Sequence, residues 1–375
     1  MKLSVDLINP YEIEIGSNII KKLNTYLKEN YKNSKILIIS DDLVYKIHKE
    51  KLIKELDGFF YKEFIIKNGE NSKSTENLIK ILEFAAQNQY RRSDLIIAFG
   101  GGVVGDISGL VASLYLRGVD YISIPTTFLS AIDSSVGGKT AVNLKAGKNL
   151  CGSFYQAKKV FIDTNFLKTL SDYYFNDGLA EAIKYAMIKD KSIFEEIYNE
   201  NVDKNYENLP SLIKKCLIIK KDLVIEDEKD EGARQILNYG HTFAHAIEKN
   251  SNFEISHGHA VALGMKIMVK NFYESFYDDF IKVLKKYDLD KEINFDTEKI
   301  LKVCMVDKKS RNDSINIIVV RNLGTCEILN IDLKDLRKIY ENRWYFNKAI
   351  NIKGRNKCDF LKILWTQGFD FGKSL

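Results

Sequence analysis

Apolar positions in the first part of the chain fall into short continuous runs separated by stretches with helical spacing. The predicted strands are YEIEI (11–15), KILIIS (35–40), FYKEFII (60–66) and LIIAFG (95–100). Between them, residues 42–56 and 75–88 carry apolar side chains at the spacing of an amphipathic helix. Continuous apolar strands that alternate with helices are typical of a parallel sheet covered on both faces. We therefore expect an α/β unit over residues 1–170.

From about Asp172 onward the pattern becomes helical. Glu181 and Lys184 are three residues apart, so they share one helical face, and their apolar neighbours indicate that this face points inward. Further helices are predicted at 210–224 and 261–280, and a strand or short return ribbon at 315–320. We expect a helical domain over residues 171–342. Residues 343–375 form an appendage to which the sequence assigns no role.

Composition narrows the class of protein. The net charge of +5, from 56 basic and 51 acidic residues, is too small and too dispersed for a nucleic-acid-binding surface. No apolar run reaches the roughly eighteen residues of a membrane helix, and the N-terminus lacks a signal-peptide core. The five cysteines are scattered and never form CxxC pairs, which indicates a reducing cytoplasm. A small anionic substrate fits this charge better than nucleic acid or a membrane.

Four of the five histidines lie within the segment NYGHTFAHAIEKNSNFEISHGHAVALGM (238–265): His241, His245, His257 and His259. His241 and His245 share one helical face, and the polar break at 249–254 allows His257 to fold back against them. Imidazole is a common metal ligand and the usual proton carrier near neutral pH. A single histidine is usually structural, but this cluster indicates a site. The spacing suggests three histidine ligands for zinc, although a carboxylate from elsewhere could equally be the third ligand.

A glycine-rich turn and two polar loops add candidate chemistry. Gly100, Gly101 and Gly102 connect a strand to a helix, where backbone N–H groups and the helix dipole can bind a phosphate. A tight structural turn is the alternative, but the position inside an α/β unit favours nucleotide binding. Residues 121–155 then combine hydroxyls, glycines, Lys139 and Lys148 in loops beside apolar strands, which suits anion recognition.

Taken in order, these segments resemble the 3-dehydroquinate synthase family over roughly residues 60–325. The resemblance rests on NGENSKS (68–74), GGGVVGD (100–106), YLRG (115–118), IPTT (124–127), DSSVGGKTAVN (133–143), GKN (147–149), GLAEAIK (178–184), RQILNYGHTFAHAIE (234–248), SHGHAVALGM (256–265) and DKK (307–309). It implies an N-terminal Rossmann-like α/β domain that binds NAD and a C-terminal helical domain that binds a divalent metal, zinc or cobalt. It also implies a substrate cleft between them and a cytoplasmic homodimer.

The reaction implied by this resemblance belongs to the shikimate pathway of aromatic amino acid biosynthesis. The family converts DAHP, a seven-carbon keto acid phosphate, into 3-dehydroquinate. NAD removes a hydride, inorganic phosphate is eliminated, the hydride is returned, and ring opening precedes an intramolecular aldol closure. NAD is therefore regenerated in each turnover.

The same resemblance implies roles for individual residues. The metal ligands become Glu181, His241 and His257, so that Glu181 takes the place of His245 in the ligand set. The catalytic residues implied are Lys139, Lys184, Lys220, Arg234, Asn238 and His245. The substrate contacts implied are Asp133, Asn149, one of Lys308 and Lys309, and Arg117, which would reach the neighbouring subunit. The NAD contacts implied are Asn68, Gly69, Glu70, Asn71, Ser72, Lys73, Gly102, Val103, Val104, Gly105, Asp106, Thr126, Thr127, Lys139, Lys148, Phe166, Leu167, Lys168 and Thr169.

The chain departs from the family pattern at four positions. Ala157, Asp230 and Ala244 stand where proline, glutamate and glycine are usual. His259 stands where glutamate or glutamine is common, and a fourth imidazole near the metal would alter its geometry.

Three other functions compete with this interpretation. A related sugar phosphate cyclase would make a valiolone or an inosose, although DSSVGGKTAVN and Arg234 favour the dehydroquinate version. A metal-dependent polyol dehydrogenase on the same fold would release NADH stoichiometrically. A non-catalytic NAD-binding or scaffold protein would not need the intact lysines, Arg234 and three predicted ligands.

Overall fold

A computed structural model describes residues 1–292, 296–306 and 314–341. Its main sheet has seven strands in the order β1-β2-β9-β6-β5-β3-β4, and only β1 pairs antiparallel to its neighbour. These strands are β1 (Lys2–Val5), β2 (Tyr11–Gly16), β3 (Ile36–Asp41), β4 (Tyr61–Ile66), β5 (Leu95–Gly100), β6 (Asp120–Pro125) and β9 (Lys159–Asp163). The α/β architecture expected for the N-terminal part is confirmed.

Alternate residues of the central strands enter two different hydrophobic cores. Ile36 and Ile38 of β3 pack on one face of the sheet, with Leu23 and Leu52 from the helices that cover it. Leu37 and Ile39 lie on the opposite face and belong to a core that continues into the C-terminal half. Because both faces are covered, these strands are apolar throughout rather than alternating.

Five helices connect or cover the sheet: α1 (Leu23–Asn30), α2 (Asp42–Lys54), α3 (Thr75–Gln87), α4 (Gly102–Leu114) and α5 (Thr164–Leu167). An antiparallel hairpin, β7 (Lys139–Leu144) and β8 (Gly147–Phe154), lies outside the sheet and packs on α4. This hairpin carries Lys139 and Lys148 away from the sheet and toward the helical half. The prediction that the first domain ends at residue 170 stays a prediction.

The C-terminal half is helical, as expected. Its helices are α6 (Asp172–Ile188), α7 (Lys191–Asn199), α8 (Leu209–Glu226), α9 (His241–Asn250), α10 (His257–Phe272), α11 (Tyr277–Lys286), α12 (Thr297–Val306) and α13 (Leu336–Tyr340). Strand β10 (Ser314–Asn322) pairs antiparallel with β11 (Thr325–Asp332), so the ribbon predicted at 315–320 is present. None of the helices within the described ranges is long and apolar enough to span a membrane.

One predicted helix is wrong in its extent. The pattern indicated a continuous helix from Val261 to Phe280, but α10 ends at Phe272 and α11 begins only at Tyr277. Tyr273 has a non-helical φ of −146°, and its ring stacks on Phe276 with centroids 4.9 Å apart. Aromatic packing therefore turns the chain without glycine or proline. The appendage at 343–375 lies outside the described residues.

Candidate active site

Parallel strand ends and the start of α4 form the first part of the site. The carboxyl ends of β3, β5, β6 and β9 meet at one edge of the sheet. Helix α4 begins there, and its N-cap residue is Gly101. No described side chain accepts a hydrogen bond from the first N–H groups of this helix, so they are available to a ligand. A Cβ on Gly101 would lie 2.9 Å from Cγ2 of Thr127, which explains glycine at this position. The hydroxyl of Thr126 is buried and has no hydrogen-bond partner among the described residues.

The segment from Asn68 to Lys73 follows β4 and reaches the same edge. Its last residue, Lys73, is only 5% exposed and contacts both Asp106 of α4 and Asn149 of the hairpin. Nδ2 of Asn68 donates to Asp41 at the end of β3, at 3.2 Å. The structure thus brings together segments that are far apart in sequence.

Three residues predicted to contact NAD have their side chains in the core: Val104, which is 1% exposed, Phe166 and Leu167. Phe166 and Leu167 are 1% and 0% exposed, and the ring of Phe166 packs edge-on against Phe99. Any contact they make with a ligand at this edge would use their backbone. Thr169 is exposed, and its hydroxyl lies 2.8 Å from Nε2 of His48.

Buried basic side chains form the second part of the site. Lys220 of α8 is 6% exposed and contacts the carboxylate of Asp133, which also accepts a hydrogen bond from Tyr185 at 2.9 Å. Burial outweighs the attraction of Asp133 and lowers the pKa of Lys220 from 10.5 to about 8. Lys184 of α6 is 1% exposed and pairs with Glu181 on the same helix face, as the sequence indicated.

Arg234 is held against the loop that precedes β7. It is 2% exposed, and its guanidinium donates to the carbonyl oxygens of Glu228 at 2.8 Å and Gly137 at 3.3 Å. Gly137 has a φ of +100°, and a Cβ there would lie 2.3 Å from Nη2 of Arg234. Glycine therefore permits both the left-handed backbone and the close approach of the guanidinium. Nε of Arg234 has no partner among the described residues.

Glu181, His241 and His257 form the third part of the site. One potential ligand atom from each residue lies within 4.8 Å of the others, and the described residues contain no other histidine, cysteine or carboxylate group of three or more this close. Nε2 of His257 and Nε2 of His241 lie 3.3 Å and 3.7 Å from Oε1 of Glu181. Glu181 forms an ion pair with Lys184, but neither of its oxygens accepts a hydrogen bond from a described residue. Two imidazole nitrogens and one carboxylate are a common ligand set for zinc.

The charges in this cluster are set by burial and by each other. Burial, followed by the charge of Lys184, lowers the pKa of His241 to about 3, so this imidazole is neutral. Burial alone would raise the pKa of Glu181, but Lys184 and His257 together lower it to about 2. Burial opposes the charged form of His257, yet the nearby carboxylates of Glu181 and Glu248 raise its pKa well above the ordinary value. Glu181 and His241 are thus in the charge states that a metal ion requires, and a cation bound here would displace the proton held by His257.

The remaining two histidines of the segment lie outside this cluster. The ring of His245 is exposed on α9, 5.6 Å from the ring of His241. His259 is 2% exposed and stacks on Tyr173 with ring centroids 4.1 Å apart. Its Nδ1 lies 2.9 Å from the hydroxyl of Ser256 and 3.2 Å from Asp177. His259 therefore joins α10 to α6 behind the cluster instead of adding a fourth imidazole to it.

Several contacts tie the N-terminal and C-terminal halves together around the site. Lys139 of β7 contacts Asp230, and Nε2 of Gln156 donates to Glu228 at 3.0 Å. Lys148 of β8 donates to Glu248 of α9 at 3.2 Å. The hairpin therefore lies against the helices that carry the histidines, which explains why both of its lysines belong to the site region.

The prediction from the sequence did not include Glu248 among the site residues. Glu248 lies seven residues after His241, a spacing that puts both on one face of α9 and would have identified it. Asn238 is half-buried just before α9, and Arg117 is exposed with a φ of +64°. Lys308 and Lys309 lie outside the described residues.

Comparison with known families covers most of the chain. Residues 63–177 match the family model described as 3-dehydroquinate synthase N-terminal, and residues 178–310 match the one described as 3-dehydroquinate synthase C-terminal. The 3-dehydroquinate synthase of Clostridium acetobutylicum is 42% identical over 341 residues, which cover 88% of this chain and 96% of that protein.

Solved structures share the fold at lower identity. A 2-deoxy-scyllo-inosose synthase complexed with carbaglucose-6-phosphate, NAD+ and Co2+ has a TM-score of 0.81 at 24% identity and covers 91% of this chain and 100% of its own. The 2-epi-5-epi-valiolone synthase of Streptomyces hygroscopicus, with NAD+ and Zn2+ bound, has a TM-score of 0.81 at 23% identity. The match covers 89% of this chain and 96% of that chain. At this identity the similarity concerns the fold.

Proposed function

The chain belongs to the 3-dehydroquinate synthase family, and we propose that it converts DAHP into 3-dehydroquinate and inorganic phosphate in the shikimate pathway. One observation of the structure carries the proposal. Lys184, Lys220 and Arg234 are all buried, Lys220 lies close enough to the other two to feel their charge, and Lys184 pairs with Glu181 of the group formed with His241 and His257. Burying a cation costs free energy unless an anion or hydrogen-bond acceptor compensates its charge. Glu181 and Asp133 pair with Lys184 and Lys220, whereas the guanidinium of Arg234 has only carbonyl oxygens as partners among the described residues, so an anionic substrate would supply the negative charge that it lacks.

The residues fit the two cofactors that the relatives use. Glu181, His241 and His257 would hold the divalent metal, zinc or cobalt, because their ligand atoms face one another and the carboxylate is ionised. The N–H groups at the start of α4, which no described side chain caps, would hold the phosphates of NAD together with the hydroxyl of Thr126, which has no partner among the described residues. When bound, NAD supplies reversible hydride transfer, and the metal stabilises negative charge on substrate oxygens.

The chain's own side chains bind the substrate's anionic groups and move protons. Arg234 and Lys220 present charged donors, for which hydrogen bonds to an anion are stronger than neutral ones. Asp133 holds the ammonium of Lys220 in place, and Lys184 stays protonated between Asp133 and Glu181. Asn238 and Asn149 bind hydroxyls in this proposal, and His245 carries a proton. Lys139 and one of Lys308 and Lys309 complete the set.

We extend the proposal to a homodimer in the cytoplasm. Leu114 and Leu116 are 50% and 45% exposed, and Phe154 of β8 is 47% exposed. Arg117 is exposed, and Leu116, Arg117 and Gly118 all have positive φ, so the chain turns there. A second copy that covers the apolar side chains would receive Arg117 in its own site. The described cysteines are all free thiols, as a reducing compartment allows.

Substrate choice is the experiment that tests the proposal. Purified full-length protein with NAD and zinc or cobalt is incubated with DAHP, glucose 6-phosphate or sedoheptulose 7-phosphate, and inorganic phosphate is measured. We expect release from DAHP alone. Phosphate from either sugar and none from DAHP would assign the chain to another sugar phosphate cyclase. Stoichiometric NADH would instead indicate a polyol dehydrogenase.

A further inference from the structure

Glu248 is a buried carboxylate for which the proposed chemistry has no direct use. It lies on α9, seven residues after His241, and is 6% exposed. A carboxylate taken out of water costs free energy unless charged or hydrogen-bonding partners compensate it. Its partners therefore indicate what the position does.

Both oxygens of Glu248 are engaged, and they face in different directions. Oε2 lies 3.4 Å from Nδ1 of His257, whose other nitrogen, Nε2, lies 3.3 Å from Glu181. Oε1 accepts a hydrogen bond from Nζ of Lys148 at 3.2 Å. The same ammonium lies 4.0 Å above the ring of Phe253, in the connection between α9 and α10.

The two imidazoles of the cluster are oriented by different acceptors. Nδ1 of His241 lies 3.1 Å from the carbonyl oxygen of Tyr239, a neutral group of its own segment. Nδ1 of His257 faces an ionised carboxylate instead. A carboxylate that accepts from the outer nitrogen of a ligand imidazole fixes its tautomer and raises its basicity toward the metal. The His257 side of the cluster therefore depends on a charge that the His241 side lacks.

Lys148 gives this arrangement a connection to the other half of the chain. It belongs to β8, in the hairpin that packs on α4. Glu248 thus contacts both His257, a member of the proposed metal-binding group, and Lys148, which is expected to bind NAD.

We propose that Glu248 is a positioning residue that orients His257 for metal binding and holds Lys148 of the NAD-binding half against the same helix. The inference rests on the proposed function only in that His257 is taken as a metal ligand. Metal binding requires no sugar phosphate, so it can be measured whatever the substrate proves to be.

The test is metal affinity of the full-length Glu248→Gln protein, measured for Zn2+ by competition with a chromophoric chelator. Glutamine keeps the size of the side chain and removes its charge. We expect affinity to fall about 10- to 100-fold, as for other lost partners of metal-bound histidines. The visible absorption of the Co2+-loaded protein should also change, because the ligand field at His257 changes. The matched control is Glu254→Gln, an exposed carboxylate near the start of α10, which should leave both readings unaltered.

A second variant separates the two contacts of Glu248. Lys148→Gln should change Zn2+ affinity less than about threefold while weakening NAD binding, measured by calorimetry. The double variant should bind NAD no more weakly than Lys148→Gln alone. Wild-type Zn2+ affinity and an unchanged Co2+ spectrum in Glu248→Gln would overturn the proposal. If Glu248→Gln does not fold, Glu248→Asp replaces it, and wild-type affinity with an unchanged spectrum there would also overturn the proposal.

Discussion

The edge of the sheet at the start of α4 and the helices α9 and α10, which carry the histidines, differ in the kind of group that they present to a ligand. At the edge, the key groups are backbone N–H donors at the start of α4 and polar side chains such as Lys73 and Asn68, assembled from separate connections. In the helical half, the key groups are buried side chains whose pKa values are strongly lowered: Glu181, His241 and Lys220. The first design suits a ligand held by its phosphates, and the second suits a cation and a reacting anion.

This comparison predicts that substitutions in the two regions fail differently. A change among the helices should remove chemistry, because a buried charge loses its partner. A change at the edge should weaken cofactor binding and leave metal binding intact.

The largest effect is expected from His257→Ala, which removes one of the three proposed ligands. Turnover of DAHP should fall on the order of 10²- to 10³-fold or more, as for the loss of a principal electrostatic stabiliser. Bound zinc, measured by atomic absorption after dialysis, should fall with it, while NAD affinity should not change. A variant that keeps full activity would show that His257 is not a ligand.

Arg234→Ala should cost about 1.5–3 kcal/mol of transition-state stabilisation, because a hydrogen bond to a charged group is lost. The reading is kcat/KM for DAHP, and the same loss should appear in the affinity for inorganic phosphate. Zinc content should stay at the wild-type level, since Arg234 lies outside the ligand group. Unchanged catalytic efficiency would exclude the guanidinium from the substrate pocket.

Gly101→Ala tests the edge of the sheet. Its Cβ would lie 2.9 Å from Thr127, so either the turn or the threonine must shift. We expect NAD to bind about tenfold more weakly, or ~1.4 kcal/mol, by calorimetry. Zinc affinity is the internal control and should remain as in the wild type. A parallel loss of zinc would mean that the two regions are not separable.

The lowered pKa of Lys220 predicts a pH effect. Its ammonium is present below a pH of about 8 and is lost as the pH rises through that value. Affinity for inorganic phosphate should therefore decline above about pH 8, by several-fold per pH unit at most. Lys220→Arg keeps its charge there because a guanidinium stays protonated. Its affinity should lack the decline, and an identical decline in both proteins would assign the effect to another group.

The smallest effect on metal binding is expected at His259. His259→Phe keeps an aromatic ring against Tyr173 and removes both ring nitrogens from the contact with Asp177 and Ser256. The free energy of unfolding should fall by about 1 kcal/mol, measured by urea denaturation, while zinc affinity changes less than about threefold. A large loss of zinc would place His259 in the metal site after all.

Much of the fold could be predicted from the sequence. Buried parallel strands appear as continuous apolar runs, and helices appear as apolar residues repeated every three to four positions. The strands at 35–40 and 95–100 and the inward face of Glu181 and Lys184 followed from these rules. The end of α10 at Phe272 did not, because it depends on packing between Tyr273 and Phe276 instead of a helix-breaking residue.

Only part of the site could be predicted from the sequence, because its residues come from segments that are far apart along the chain. The histidine spacing identified a cluster but left open whether His245 or a carboxylate completes it, since local sequence carries no information about a helix sixty residues earlier. The resemblance supplied Glu181, and the structure brings it beside His241 and His257. Glu248 was missed because its partners, Lys148 and His257, become neighbours only when the hairpin packs on the helices.

Phosphate release from DAHP, measured with and without NAD and with a chelator control, tests the central claim most directly. The account predicts release that requires both NAD and a divalent metal, with no accumulation of NADH, because the hydride is returned within each turnover. Absence of phosphate release from a protein that demonstrably holds NAD and zinc would contradict it.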